Sequence, residues 1–160
     1  MADIQCYVGH LYLAQAEPQQ ALAHFEQAQR LCGPIALHRA IEALSYQAVA
    51  YLALGQIEPA LDCSGQAIDW LLKRKGGLEA AQRVYLNHYR VLLTSGLAAQ
   101  AQAALATAHK MVLAQAAELA PAFLAAESTD MVRERFLTHL PWNREIMATA
   151  ERVLLFGQSY

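Results

Sequence analysis

The chain has 160 residues, enough for one domain of ordinary size with a continuous core. Its net charge of −2 and the lack of a long basic run give no electrostatic case for nucleic acid, and no apolar stretch reaches the roughly 18 residues that span a bilayer. Hydrophobic residues make up 56% and charged residues 16%, so an elongated fold has little polar material to cover it, and some apolar surface is expected to meet another protein surface.

Strand signals are nearly absent. β-branched residues are sparse, Asn-Gly and Asp-Gly turns do not occur, and apolar residues recur at helical spacing. Breakers divide the chain instead. A first helix is expected over 3–16, before Pro18, and a second over 18–32, closed by Gly33-Pro34. A third over 35–54 ends at Gly55, and a fourth over 57–75 runs into Gly76-Gly77. A fifth over 78–95 ends at Ser95-Gly96, and a sixth over 98–119 stops before Pro121. Two shorter helices, 130–139 and 142–156, flank Pro141. The expected fold is all-α: one domain over 1–160, built of antiparallel helix hairpins near 2–34, 35–76 and 77–119, with a closing pair over 130–156.

Three segments of the chain superimpose. The first carries Gly9, Tyr12, Ala21, Phe25 and Ala28; the second carries Ala48, Tyr51, Gly55, Ala60, Ser64 and Ala67. The third carries Tyr89, Leu92, Gly96, Ala101, Leu105 and Ala108. A small residue on the first helix of a pair lets the second helix come close, and the alanines seven apart on the second helix form a smooth seam around a central knob. One hairpin cannot bury such a face alone, so neighbouring pairs must stack. Tyr12, Phe25, Tyr51, Tyr89, Leu92 and Leu105 are therefore expected between the helices, and Tyr85, Trp70 and Trp142 are read as core aromatics rather than a stacking platform.

This pattern resembles the tetratricopeptide repeat, over roughly residues 2–118. The chain departs from its usual period of about 34 residues: Tyr12 to Tyr51 spans 39 and Tyr51 to Leu92 spans 41. Ser64 also replaces the large knob, and no Trp opens a repeat. A second likeness covers Met131–Ile146, which looks like the closing element of MalT-like repeat regions in large bacterial signalling proteins. Together these imply a protein–protein docking module, the C-terminal sensing array of a bacterial multidomain regulator. The alternative they imply is a small-molecule effector-binding domain. Met1-Ala2 run straight into the first repeat, which reads as an excised C-terminal fragment, although a short stand-alone protein fits as well. No Walker loop, cyclase core or helix-turn-helix reader is visible.

No residue pattern points to catalysis. The six histidines show no i, i+3 or i, i+4 pairing and no HExxH, so neither a metal nor a cofactor is expected. Cys6, Cys32 and Cys63 read as reduced packing thiols; with no secretory signal in MADIQCYVGH, this suggests a cytoplasmic protein. The resemblance implies that the first helix of each pair lines a concave groove. Carried over, that places His10 and Leu13, with Asp3 and Cys6, in the first repeat, and Val49 and Leu52, with Glu42 and Ser45, in the second. The third repeat contributes Arg83, Leu86 and Arg90, with Leu93. Cys6, His10, Tyr46, Arg83 and Asn87 stand where a carboxylate clamp would need Lys and Asn, so chaperone-tail recognition is disfavoured. Arg83 and Arg90, seven apart on one face, are candidates to meet an acidic protein or peptide. The apolar run Val153, Leu154, Leu155 and Phe156 is a candidate docking or homodimer contact.

Overall fold

Alanine, leucine and glutamine favour helix, and most Gly and Pro fall at or near helix ends, so almost every described residue is helical. The structure is a computed structural model that describes residues 1–32, 36–73, 81–119 and 129–155, leaving the side chains of Thr129 and Leu155 undescribed. Gly33-Pro34, Gly76-Gly77, Pro121 and Phe156 lie outside the described residues. The elements are α1 (Ala2–Ala14), α2 (Pro18–Cys32), α3 (Leu37–Ala53), α4 (Ile57–Lys73), α5 (Ala81–Thr94), α6 (Ala98–Glu118), α7 (Thr129–His139) and α8 (Pro141–Ala150), which continues into a π-helical turn, Glu151–Leu155. The described residues contain no strand. Consecutive helices pack in pairs, α1 with α2, α3 with α4 and α5 with α6, and the pairs stack. The fold is an all-α array of helix hairpins.

Each pair closes with the same turn. The amides of Glu17, Gln56 and Leu97 each donate back to the carbonyls of Tyr12, Tyr51 and Leu92 at 2.9 Å. The residue before each donor has positive φ: 59° at Ala16, 73° at Gly55 and 76° at Gly96. This is the left-handed helix C-cap that glycine adopts without strain. Gly55 and Gly96 meet that demand; Ala16 meets it against the clash of its own Cβ.

The repeat register also appears in the core. Phe25 and Leu105 are fully buried, and Tyr89 and Leu92 nearly so. Tyr12 and Tyr51 are half-buried at the core's edge, where the Tyr12 ring stacks on His24 at 5.3 Å. Of the other aromatics, Tyr85 is buried, while Trp70 and Trp142 flank the core half-buried.

The C-terminal pair departs from a simple closing hairpin. α8 packs on α7, but also on α5 and α6, in the way α3 packs on α1 and α2. It therefore takes the place of a fourth first-helix. Ile146, Ala150 and Val153 join the cluster of Tyr85, Leu86 and Tyr89, and Leu154 packs half-buried against it. This corrects the expectation of a docking contact at Val153 and Leu154. Their run is core because the π-helical turn packs on α6. The Leu155 side chain and Phe156 lie outside the described residues.

Ala16 gives the fold a direct test. Ala16→Gly is expected to stabilise the chain by about 0.5–1 kcal/mol in urea unfolding, because relief of left-handed strain exceeds the added chain entropy of glycine. A loss of stability would mean that this turn does not follow the other two.

Candidate functional site

Sequence reasoning placed a groove on the face lined by the first helices of the three pairs, α1, α3 and α5, and in the structure α8 packs beside α5. The repeat offset puts Asp3, Glu42 and Arg83 in one column of that face. Arg83 Nη2 donates to Glu42 Oε1 at 2.7 Å, and Arg39 Nη1 lies 2.8 Å from Asp3 Oδ1 and 4.0 Å from Glu42 Oε2. The result is a relay of alternating charge across three helices. The Arg83 guanidinium also sits over the rings of Tyr46 and Trp142, at 5.3 and 5.0 Å. Beside the relay, the buried Asn87 amide donates to the Ser45 hydroxyl at 2.9 Å. Arg90 donates to Asn87 Oδ1 at 3.0 Å and forks onto Glu145, with Nη2 at 2.6 Å and Nε at 3.1 Å from Oε1.

These contacts correct two expectations. Arg83 and Arg90 do not stand ready for an outside carboxylate; each already has one from this chain. Stacking brings Glu42 and Glu145 opposite them across 41 and 55 residues of sequence. Leu86 is not a groove residue, because α5 is packed by α3, α4, α6 and α8 and the side chain is 1% exposed. Leu13 packs against the Phe25 cluster and Leu52 against the Ala60 cluster, both half-buried, and Val49 is half-buried as well. His10 stays in the candidate site.

At the α1 end of this face, Asp3, Cys6, Tyr7, His10, Arg39, Glu42 and Arg83 line a pocket of about 130 Å³. Asp3 Oδ1 is shielded from solvent yet accepts no hydrogen bond, since Arg39 approaches it out of alignment. The His10 ring presents its edge to Tyr46 at 4.0 Å and to Phe25 at 5.4 Å. Burial, with the Arg83 charge adding, lowers His10 to about 4, so the imidazole is neutral at ordinary pH. Burial likewise pushes Tyr46 up to about 12, against the pull of Arg83. The thiols follow the same rule. Burial raises Cys6 and Cys63 to about 11, reinforced by Glu42 at Cys6 and by Asp62 at Cys63, and it raises Cys32 too. Protonated thiols are poor nucleophiles.

A second, more open cleft of about 490 Å³ lies between α6, α7 and α8, lined by His109, Leu137, Thr138, Arg144, Met147, Ala148 and Glu151. Among the described residues no group of three or more His, Cys, Asp or Glu is placed to hold a metal ion, and no helix is long and apolar enough to cross a membrane. No family model, curated protein or solved structure matches the chain.

The sequence reading named most of the pocket residues singly but missed the relay that joins them. The signal was present in the repeat columns: Asp3, Glu42 and Arg83 put acid, acid and base at equivalent positions, and neighbouring repeats bring such positions side by side.

His10 generates a pH prediction. Its folded value lies below the ordinary 6.5, so the unfolded chain binds the extra proton first and stability falls as pH drops from about 6.5 toward 4. Between pH 7 and 5, wild type should lose on the order of 1 kcal/mol more in urea unfolding than His10→Gln, partial exposure of the ring screening a larger effect. Equal losses in the two chains would show that His10 protonates freely in the folded state.

Proposed function

We propose that the chain is a non-catalytic docking module, a divergent tetratricopeptide-type array whose first-helix face receives a segment of another protein. The observation that carries this reading is the size and chemistry of the pocket at the end of that face. Small-molecule sites run from about 300 to 1,000 Å³. At about 130 Å³, this pocket has the room of about four waters, close to that of one side chain. A peptide anchor suits it better than a cofactor or effector. Arg83 and Arg90 are already paired within the chain, so the favoured anchor donates hydrogen bonds to Asp3 and accepts from Arg39, in place of the acidic anchor expected from the arginines alone. The protonated thiols support a role without covalent chemistry. A place within a bacterial multidomain regulator, as its cytoplasmic C-terminal array, rests on the likeness over Met131–Ile146.

The open cleft between α6, α7 and α8 favours a second reading. Its volume of about 490 Å³ falls in the small-molecule range, and its Leu137 and Met147 floor with Arg144 and Glu151 suits an amphipathic effector.

Selection of a displayed peptide library against wild type tests the docking reading. Cys6→Trp, which fills the pocket, and Arg39→Ala serve as controls whose circular dichroism matches wild type. Enriched peptides should share one polar anchor and bind each control at least ~10-fold more weakly. No enrichment, or equal binding to the filled variant, would contradict a pocket-anchored partner.

A further inference from the structure

The first helix of the array carries an open apolar stripe, which shares Tyr7 with the lining of the pocket. Stepping by one repeat, Met1 corresponds to Ala40 and Ala81, Ile4 to Ala43 and Val84, and Leu11 to Ala50 and Val91. In α3 and α5 all six of these positions are 9% exposed or less. Four of them share a cluster with the second helix of the preceding pair. Ala50 packs in one cluster with Ala21, Leu22 and Phe25 of α2, Ala81 and Val84 with Ala67 of α4, and Val91 with Ala60 of α4. In α1 and at its N-cap, Met1, the same positions carry larger side chains and are open: Met1 is 82% exposed, Ile4 56% and Leu11 62%, with Tyr7 between them at 72%. These four fall on one side of the helix, at the spacing of a helix–helix seam. α1 is also apolar nearly all round, as a helix buried on every side is.

We propose that this stripe pairs with the same stripe of a second copy of the chain, α1 against α1, antiparallel about a two-fold axis near Tyr7 and Val8. Charge permits it. The one Asp, Glu, Lys or Arg on α1 is Asp3, which faces Arg39 of its own chain, and His10 is neutral at ordinary pH, so two copies of the stripe meet without like-charge repulsion. The spacing is self-complementary, since an antiparallel axis at that point sets Ile4 against Leu11 of the second copy. Area permits it as well: complete covering of the four residues on both copies would remove at most on the order of 1,200 Å², the lower end of the range for specific interfaces. Among the described residues, α2 and α4 are covered by the next first-helix, α3 and α5, and α6 is packed in part by α8, so no second-helix face is left fully open for head-to-tail stacking. A two-fold contact closes on itself and gives a dimer.

Sedimentation velocity of the whole chain from ~1 to ~200 μM tests the pairing, the range bracketing a low-micromolar dissociation constant. Wild type is expected to pass from monomer to dimer within it. Ile4→Lys and Leu11→Glu, both at exposed positions, should each weaken association at least ~10-fold with unchanged circular dichroism. The double variant Ile4→Lys/Leu11→Glu should recover association, because the antiparallel axis brings the two new charges together with opposite sign. A wild-type chain that stays monomeric throughout overturns the proposal. So do single variants that dimerise like wild type, or a double variant no better than the singles. A monomeric chain whose stripe instead binds a synthetic peptide of residues 56–73, the helix that covers α5, would assign the face to a helix from a different molecule.

Discussion

How closely the two helices of a pair can approach governs everything else in this structure. In the first pair the limit is reached at Gly9, where a Cβ would lie 2.6 Å from Cε1 of the fully buried Phe25 ring. The second helices meet their partners through alanine: Ala21 and Ala28, Ala60 and Ala67, and Ala101 and Ala108 are all buried. The residue between each alanine pair adjusts to local space. Phe25 fills the room that Gly9 leaves, and Leu105 fills the third pair. Ser64 is small enough for His88 of the next helix to reach its hydroxyl at 3.0 Å. Close pairs have flat sides, and flat sides stack; van der Waals contact along these seams adds to the stabilisation from apolar burial.

Stacking then brings polar columns into contact, and this decides what the first-helix face offers a partner. The Arg83–Glu42 pair is mostly buried, so removing one member would leave a costly unpaired charge. The Arg90–Glu145 pair is more open and belongs to the weak surface class. Both draw arginine away from outside ligands and hold α3, α5 and α8 in register. The face is left nearly charge-balanced, with one small polar pocket and one uncovered helix at its edge. In the proposed docking role, such a face would select partners by shape and by a single anchor rather than by long-range electrostatic attraction.

The hairpins were legible because each rests on local chemistry. Gly55 and Gly96 mark their turns, and the Gly9 to Phe25 and Tyr89 to Leu105 spacings mark the seams. The first turn gave a weaker signal, because an alanine holds the left-handed position there. The site was harder to read. Arg83 looks the same in sequence whether its carboxylate comes from a ligand or from Glu42, and only the stacking of α3 on α5 separates the two. Leu86 has the spacing of a groove residue, yet helices pack α5 on several sides. The run from Val153 looked too apolar for one buried face, but the π-helical turn that carries Val153 and Leu154 packs on α6. The α1 stripe escaped notice because Met1, Ile4 and Leu11 are ordinary core residues by type. Their meaning comes from the alanines and valines that occupy the same columns in α3 and α5.

The shared register of the three hairpins, from which the pocket, the charge relay and the open face of α1 all follow, is most directly tested by a double-mutant cycle between Gly9 and Phe25 in urea unfolding. Gly9→Ala alone should destabilise by about 1–3 kcal/mol through overpacking, although alanine is the better helix former. Phe25→Ala alone should cost about 3–5 kcal/mol. In the Phe25→Ala background the methyl at position 9 has room, so Gly9→Ala should become neutral or stabilising, giving a coupling of at least about 1 kcal/mol. Additive effects of the two substitutions would mean that α1 and α2 do not meet at this point, and the register would be wrong.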